Sequence, residues 1–192
     1  MTSAKSLPVA IAHFTVAEEP ERNLEIIDGF ARDAAAGGAA AVTAVGISAE
    51  AVQMTDANAS KNGLDKVVKG LKANVFDLLS ELVNNKSREY DFIILDPPAF
   101  TKSGSTVKNA IRGYKEINLK AMKLLPRGGY LATCSCSHFM DTERFKHVVA
   151  SAAHDAGVQL RQIEERQQAP DHPIVWGVPE TDYLKFFIFQ VV

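Results

Sequence analysis

Short apolar segments alternate with longer amphipathic segments over most of the chain. Apolar runs of this length predict buried strands, and the amphipathic stretches between them predict helices. Strands and helices that alternate with short turns are typical of a parallel sheet covered by helices on both faces. The sequence therefore predicts an α/β protein with a doubly wound, mostly parallel sheet. The predicted strands are 41–47, 67–73, 92–95, 130–134, 158–163 and 183–191, and the predicted helices are 20–36, 48–61, 75–83, 141–156 and one that ends near residue 125.

The two ends of the chain depart from this pattern. Residues 7–16 form a short apolar segment that could be an edge strand or a poorly ordered arm. The connection between the last two predicted strands is long and contains Pro170, Pro173 and Pro179. We expect these two strands to pair as a hairpin, with the final strand antiparallel to its neighbours in the sheet.

One predicted strand, residues 92–95, ends abruptly in Asp96-Pro97-Pro98. Proline has no backbone N–H and restricts the residue before it, so the two prolines end the strand. Asp96 is thereby expected at the carboxyl end of a central strand, where open α/β sheets bind their ligands. We predict a functional carboxylate, and the alternative is a turn in which Asp96 only caps nearby backbone N–H groups.

The predicted strand 130–134 leads into two cysteines, Cys134 and Cys136. In a doubly wound sheet its carboxyl end lies beside the strand that carries Asp96. A thiol there can act as a nucleophile if its pKa falls, for instance near the N-terminus of the helix that begins near Asp141. We predict that Cys136 is a nucleophile and that Cys134 has a packing role. The alternative is that both are simply buried small residues.

Two histidines complete the list of candidate residues. His138 follows the cysteines, but this pattern without a fourth ligand is weak evidence for zinc, and we predict no metal site. His172 lies in the long late connection, in the sequence Asp171-His172-Pro173. It could assist proton transfer, contact a substrate or lie in a solvated turn.

Composition limits the classes of function. A chain of 192 residues that is 46% hydrophobic and 23% charged is expected to form one folded domain. No apolar run approaches the roughly 20 residues that span a bilayer, and no secretory signal is recognised, so we expect a cytoplasmic protein without membrane contact. A net charge of −2 gives no electrostatic footprint for nucleic acid. Any RNA binding would therefore need a local basic patch or a separate basic module.

Four motifs in order resemble a known family, and the sequence positions are Asp96-Pro97-Pro98-Ala99-Phe100, the run 112–118 (RGYKEIN), the run 134–138 (CSCSH) and the run 168–173 (QAPDHP). This combination resembles the class I S-adenosylmethionine-dependent methyltransferases that make 5-methylcytosine in bacterial large-subunit ribosomal RNA. The resemblance implies a Rossmann-like fold over residues 29–192, a methyltransferase-like domain. Residues 1–28 form a divergent N-terminal segment that does not resemble the family.

The resemblance also implies a mechanism. Cys136 would attack C6 of cytosine, so that C5 becomes nucleophilic enough to accept the methyl group. Cys136 is preferred over Cys134 because its distance from the Gly128-Gly129 turn matches the nucleophile of RNA cytosine-5 methyltransferases. Asp96 would hold an extruded or unpaired base by its Watson–Crick edge. The expected substrate contacts are Pro98, Phe100 and His172. An adenine-amino methyltransferase is disfavoured, because Ala99 occupies the position of the aromatic residue that would stack on adenine.

The implied cofactor is S-adenosylmethionine, and its expected contacts are Gly29, Phe30, Gly46, Ile47, Asn74, Val75, Asp96 and Pro97. Much of the cofactor motif is degraded. Only Gly29-Phe30 remains of the glycine-rich turn, so the first strand could be missing or replaced. Gly46 stands where the family has an acidic residue on the ribose, and losing such a contact costs about 1.5–3 kcal/mol. Asn74 stands where the family has an aspartate near the adenine.

Two functions are consistent with these features. The first is an S-adenosylmethionine-dependent RNA methyltransferase that acts on C5 of cytosine in ribosomal RNA through a covalent cysteine adduct. Its partner is RNA, and a homodimer or a separate RNA-binding chain could supply the basic surface. The alternative is a catalytically silent methyltransferase remnant that acts as a binding or interaction protein. The degraded cofactor motif favours the alternative, and the intact Asp96–Cys136 half favours the enzyme.

Overall fold

A computed structural model describes residues 9–13, 41–101 and 104–192. The described strands are β1 (Val9–His13), β2 (Val42–Gly46), β3 (Val68–Lys72), β4 (Phe92–Asp96), β5 (Tyr130–Ser135), β6 (Leu160–Arg166) and β7 (Lys185–Val191). The described helices are α1 (Ala49–Lys61), α2 (Val75–Asn84), α3 (Val107–Leu124) and α4 (Thr142–Ala156). Short 3-10 turns lie at Gly104–Thr106 and Pro179–Thr181. The predicted helix 20–36 lies outside the described residues.

Local signals in the sequence set the helix ends. The side chains of Ser48, Asn74 and Asp141 accept hydrogen bonds from the backbone N–H groups that open α1, α2 and α4. Such caps satisfy N–H groups that have no partner within the helix. Gly157 ends α4 with a φ of 70°, a left-handed conformation that glycine adopts without strain. The predicted helices 48–61 and 141–156 are confirmed as α1 and α4, which begin and end within one residue of the predicted bounds.

The strands form one sheet in the order β3-β2-β1-β4-β5-β7-β6. β1 to β5 pair in parallel, whereas β7 is antiparallel to both β5 and β6. This arrangement confirms the doubly wound, mostly parallel sheet, the final hairpin and the antiparallel last strand. The predicted strand 158–163 is shifted: β6 runs from Leu160 to Arg166, with an irregularity between Gln162 and Glu164.

Both alternatives for the apolar segment near the N-terminus, an edge strand or a poorly ordered arm, are wrong for its described residues Val9–His13. β1 pairs in parallel with β2 on one side and with β4 on the other, so it lies inside the sheet. The position of the first strand, which could have been missing, is filled by Val9–His13. A short apolar run has the same pattern in an edge strand as in a buried one, so the sequence pattern could not distinguish them.

Buried side chains cover both faces of the sheet. The larger cluster joins α2, α3 and α4 to the sheet and contains Leu79, Ile117, Phe145, Leu95 and Phe187. The smaller cluster lies on the opposite face and joins Ala59 of α1 to Val42, Val68, Ile94 and Ala132. Layers on both faces require connections that alternate between them, which is why the strand ends of β4 and β5 are left open at one edge.

Candidate active site

Asp96 is the last residue of β4, the fourth of the seven strands in the sheet order. β4 pairs with β5 in the register Leu95 to Thr133, which brings Asp96 next to Cys134. The Cys134 thiol donates hydrogen bonds to Asp96 Oδ1 at 3.1 Å and to the Leu95 carbonyl at 3.3 Å. The prediction that a carboxylate lies at the carboxyl end of a central strand is confirmed.

Cys134 is 4% exposed. Burial raises the pKa of the Cys134 thiol well above its usual value, and the nearby Asp96 carboxylate raises that pKa further by charge and hydrogen bonding. A thiol with such a pKa stays protonated and so remains a hydrogen-bond donor. Cys134 is buried, as the packing role requires, and it also contacts Asp96, which the sequence reasoning did not anticipate.

Cys136 follows the last residue of β5 and is half-buried. Burial raises the pKa of the Cys136 thiol, and the negative charge of Asp96 raises it further. Backbone hydrogen bonds at Cys136 and Ala99 and the positive charge of Lys185 act in the opposite direction. Asp96 and Cys136 therefore lie at the same edge of the sheet and influence each other electrostatically. Together these effects raise the pKa of Cys136, so its thiol is protonated at neutral pH. The lowered pKa that a nucleophile requires is not found in this structure.

Lys185 is a third member of this cluster, and the sequence reasoning missed it. It begins β7, opposite Ser135 in the antiparallel register, and is 6% exposed. Its ammonium donates to the carbonyl of Ser137 at 2.7 Å and to that of Tyr183 at 2.6 Å. Burial lowers the pKa of Lys185, and the negative charges of Cys136, Asp182 and Asp141 raise it. A signal existed: Lys185 is the one charge in the apolar segment 184–189.

Buried hydrogen bonds fix the loop that carries Cys136. Ser135 Oγ lies 2.9 Å from the hydroxyl of Tyr114 on α3, and the Ser137 N–H donates to Ser135 Oγ at 3.3 Å. Ser137 Oγ donates to the carbonyl of Thr101 at 3.0 Å. The loop after β5 is thereby joined to α3 and to the loop after Asp96. These positioning residues were not predicted, although all but Thr101 lie within the motifs quoted above.

The three residues expected to contact the substrate lie in different environments. Phe100 packs against Tyr114 and Phe76, with ring centroids 4.6 Å and 5.8 Å apart, so its ring contributes to the core. Pro98 is half-buried, directly after β4. His172 lies in the connection between β6 and β7, with Nε2 3.8 Å from Asp171 Oδ2. The substrate roles of the three residues remain predictions.

The expected cofactor residues line the same edge beyond β2 and β3. Ile47 follows β2 and is 56% exposed, while Asn74 is exposed at the start of α2. A Cβ at Gly46 would lie 3.8 Å from Val52 Cγ2, an ordinary contact, so a side chain fits there. Val75 is 1% exposed and packs in the core, so only its backbone is available to a ligand. Pro97 is buried, and Gly29 and Phe30 lie outside the described residues.

Within residues 9–13, 41–101 and 104–192, no helix has the length and apolar character needed to cross a membrane. In the same ranges, no three side chains of His, Cys, Asp or Glu gather into a group that could hold a metal ion.

Comparison with known proteins gives a consistent result. Residues 21–189 match the family model described as S-adenosylmethionine-dependent methyltransferase. Ribosomal RNA large subunit methyltransferase I of Klebsiella pneumoniae is 41% identical over 165 residues, which are 85% of this chain and 41% of that protein. The protein of the same name in Aeromonas salmonicida is 41% identical over 182 residues, which are 94% of this chain and 46% of that protein. The chain thus spans less than half the length of these relatives.

Solved structures show the same fold. A proposed methyltransferase complexed with SAH superposes with a TM-score of 0.77 at 21% identity, over 98% of this chain and 46% of that one. A proposed S-adenosylmethionine-dependent methyltransferase from Streptococcus mutans superposes with a TM-score of 0.74 at 22% identity, over the same 98% and 46%. At these identities the likeness concerns the fold, and the predicted Rossmann-like architecture is confirmed.

Proposed function

Since the chain belongs to the S-adenosylmethionine-dependent methyltransferase family, we propose that it transfers a methyl group to C5 of cytosine in ribosomal RNA. Cys136 acts as the nucleophile and Asp96 binds the base. The relatives named ribosomal RNA large subunit methyltransferase I support the substrate class. The proposal covers the catalytic half, because the chain spans 41–46% of those proteins.

One observation carries the proposal. The half-buried Cys136 thiol and the Asp96 carboxylate lie at the ends of two neighbouring strands, and the charge of Asp96 acts on the thiol. Of the two thiols, Cys134 is buried and is held as a donor to Asp96. Cys136 is the more accessible thiol, and the positive charge of Lys185 opposes the rise in its pKa that burial and Asp96 cause. A nucleophile must reach the substrate and must be able to ionise, and Cys136 meets both requirements better than Cys134.

The reaction proceeds through a covalent adduct with the base. The raised pKa keeps the Cys136 thiol protonated at rest, so the thiol must first release its proton to solvent water. The thiolate sulfur then forms a bond to C6, and the electrons of the C5–C6 double bond make C5 nucleophilic. Once C5 carries the methyl group, a base removes the C5 proton. The electrons of that C–H bond restore the C5–C6 double bond as the C6–S bond breaks. Asp96 accepts a hydrogen bond from the amino group of the cytosine throughout.

The residues at this edge fit the adenosine part of the cofactor. Exposed Ile47 offers an apolar surface to the adenine ring, and Asn74 offers its amide N–H groups while its Oδ1 caps α2. Asp96 and Pro97 would lie between the cofactor and the cytosine base that accepts the methyl group. Gly46 supplies no carboxylate to the ribose, although the space beside Val52 would admit one. When bound, S-adenosylmethionine supplies an electrophilic methyl group.

The basic side chains between α3 and α4 offer only limited positive charge for binding RNA. A cavity of about 420 Å³ between α3 and α4 is lined by Lys115, Arg144 and His147, among others. Lys115 forms an ion pair with Asp155 at 2.6 Å, and Arg144 forms one with Asp141 at 3.0 Å. These ion pairs reduce the attraction to phosphate. We therefore propose that a second copy or a separate RNA-binding chain contributes to substrate binding.

A covalent trap tests the mechanism. RNA that contains 5-fluorocytidine should form a complex with the protein that is stable in denaturing gels when S-adenosylmethionine is present, because fluorine at C5 cannot leave as a proton does. The Cys136→Ala variant should form no such complex, while the matched Cys134→Ser variant should still form it. A complex that survives Cys136→Ala would remove Cys136 from the mechanism.

Cofactor binding separates the enzyme from the silent remnant. Calorimetric titration with the demethylated product of S-adenosylmethionine should give micromolar affinity if the chain is an enzyme. Absence of binding at millimolar concentration would support the alternative, a remnant that acts as a binding or interaction protein. Tritium transfer from S-adenosylmethionine to unmethylated ribosomal RNA then measures the reaction directly.

A further inference from the structure

The start of β7 brings a buried ammonium to the loop that carries Cys136. Ser135 and Lys185 are paired across β5 and β7, so the Lys185 side chain enters the site from the strand next to the thiol. Lys185 Nζ donates to the carbonyl of Ser137, the residue after Cys136, at 2.7 Å. This bond links residues that are 48 positions apart in the sequence.

The ammonium has more capacity than its observed partners use. A lysine has three N–H donors, and the carbonyls of Ser137 and Tyr183 accept two of them. Both partners are neutral. In the described part of the chain, no carboxylate lies within 4.0 Å of Lys185 Nζ. Burying a charge without a close opposite charge is costly, so an anion that forms nearby would be stabilised.

Cys136 is the group nearby that can become such an anion. Burial and Asp96 raise the pKa of Cys136, and the charge of Lys185 opposes that rise; burial lowers the pKa of Lys185, and the negative charge of Cys136 opposes that fall. Other titratable groups also face the pair. Asp96, Cys134 and Tyr114 interact with Cys136, while Asp141 and Asp182 interact with Lys185. Asp96 opposes formation of the thiolate, so a cation on the other side of the thiol is needed.

We propose that Lys185 is the positioning residue for Cys136. Its buried ammonium holds the loop through the Ser137 carbonyl and provides the positive charge beside which the Cys136 thiolate forms. No covalent step involves Lys185 itself. The role rests on the proposed function, in which Cys136 is the nucleophile, but its test does not require methyl transfer.

The test is the pH dependence of Cys136 alkylation by iodoacetamide in the whole chain, followed by mass spectrometry of the peptide that contains residue 136. Only the thiolate reacts, so the rate follows the ionised fraction. Lys185→Gln keeps a donor for the Ser137 carbonyl and removes the charge. We expect it to shift the alkylation profile to higher pH and to slow alkylation at pH 8 about 10-fold, which corresponds to a pKa rise of about one unit.

Two matched variants complete the design. Lys185→Arg retains the charge and should keep the wild-type profile to within about a factor of 3. Lys146→Gln makes the same substitution at a lysine on α4 whose ammonium pairs with Glu165 at 3.2 Å, outside the Cys136 loop, and should leave the profile unchanged. Circular dichroism and urea midpoints establish that each variant is folded. If Lys185→Gln does not fold, Lys185→Met, which keeps an apolar stem of similar length and also removes the charge, replaces it.

The outcomes are distinct from those of the proposed function. An unchanged alkylation profile in folded Lys185→Gln would overturn the role of Lys185, whether or not the protein methylates RNA. If Lys185→Met is used instead, an unchanged profile in that folded variant would do the same. A shifted profile in a protein that neither binds the cofactor nor traps 5-fluorocytidine would uphold the Lys185 role and reject the proposed function.

Discussion

The Cys134 thiol donates a hydrogen bond to Asp96 Oδ1 at 3.1 Å, across the boundary between β5 and β4. The same sulfur lies 3.3 Å from the Leu95 carbonyl. Because burial and Asp96 raise the pKa of this thiol well above its usual value, the donor is present at neutral pH. The Asp96 carboxylate is therefore oriented by a neighbouring cysteine, and Cys136 is the thiol for which we propose the chemical role.

Replacing this donor should weaken both the fold and the site. We expect Cys134→Ala to lower the free energy of unfolding by about 1–2 kcal/mol, because Asp96 loses a buried hydrogen bond and a small cavity forms. Methyl transfer should fall through kcat more than through the KM for cofactor. Urea denaturation and steady-state kinetics measure the two effects. Cys134→Ser keeps a hydrogen-bond donor and should retain more stability and more methyl transfer than Cys134→Ala. Equal losses of stability and activity in the two variants would argue that Cys134 only fills space.

Gly46 at the end of β2 provides a test of the degraded cofactor motif. A Cβ there meets only Val52 Cγ2 at 3.8 Å, so Gly46→Asp is sterically tolerated. If the missing ribose contact is the main defect, the new carboxylate should tighten binding of the demethylated cofactor product about 10-fold or more. Calorimetric titration measures the change, with Gly46→Asn as the neutral control. No gain would assign the defect to the segment before residue 41 instead.

Asn74 combines a structural role with a proposed cofactor role. Its Oδ1 accepts the Phe76 N–H at 3.0 Å and caps α2. Asn74→Ala should lower the free energy of unfolding by about 1 kcal/mol. Asn74→Asp keeps the cap and places a negative charge at a helix N-terminus, so its stability should equal or exceed that of the wild type. Urea midpoints distinguish the two, and equal destabilisation would contradict the capping role.

Tyr114 should make the protein sensitive to alkaline pH. Burial raises its pKa from 10.0 to about 12, while the hydrogen bond with Ser135 lowers the pKa in part. The unfolded state therefore loses its proton first as pH rises. The stabilisation is complete below about pH 10 and is lost as pH approaches about 12, by about 2–3 kcal/mol.

The matched variant is Tyr114→Phe, which keeps the ring packed between Phe100 and Phe145. It should lose about 1 kcal/mol at neutral pH, because the bond with Ser135 is gone. It should also show a smaller decline in stability between pH 10 and 12. Denaturation curves at several pH values measure both. A decline as steep as that of the wild type would mean that other groups cause the alkaline loss.

The amino-acid sequence determined the features that depend on neighbours along the chain. The Pro97-Pro98 pair ends β4 after Asp96, and Ser48, Asp141 and Gly157 set helix ends, because caps and strand stops act within a few residues. Apolar runs predicted the strands of the sheet, but not whether the segment at Val9–His13 would lie at its edge or inside it.

The tertiary structure decided which side chains meet at the site. The register of β4 with β5 places the Cys134 thiol within hydrogen-bond distance of Asp96, 38 residues away in the sequence. The antiparallel return of β7 brings Lys185 to Ser137 across 48 residues. Local periodicity gives the face on which a side chain points, but the identity of its partner depends on strand order and register. Those depend on how all the strands pack together, which no single segment of the sequence specifies.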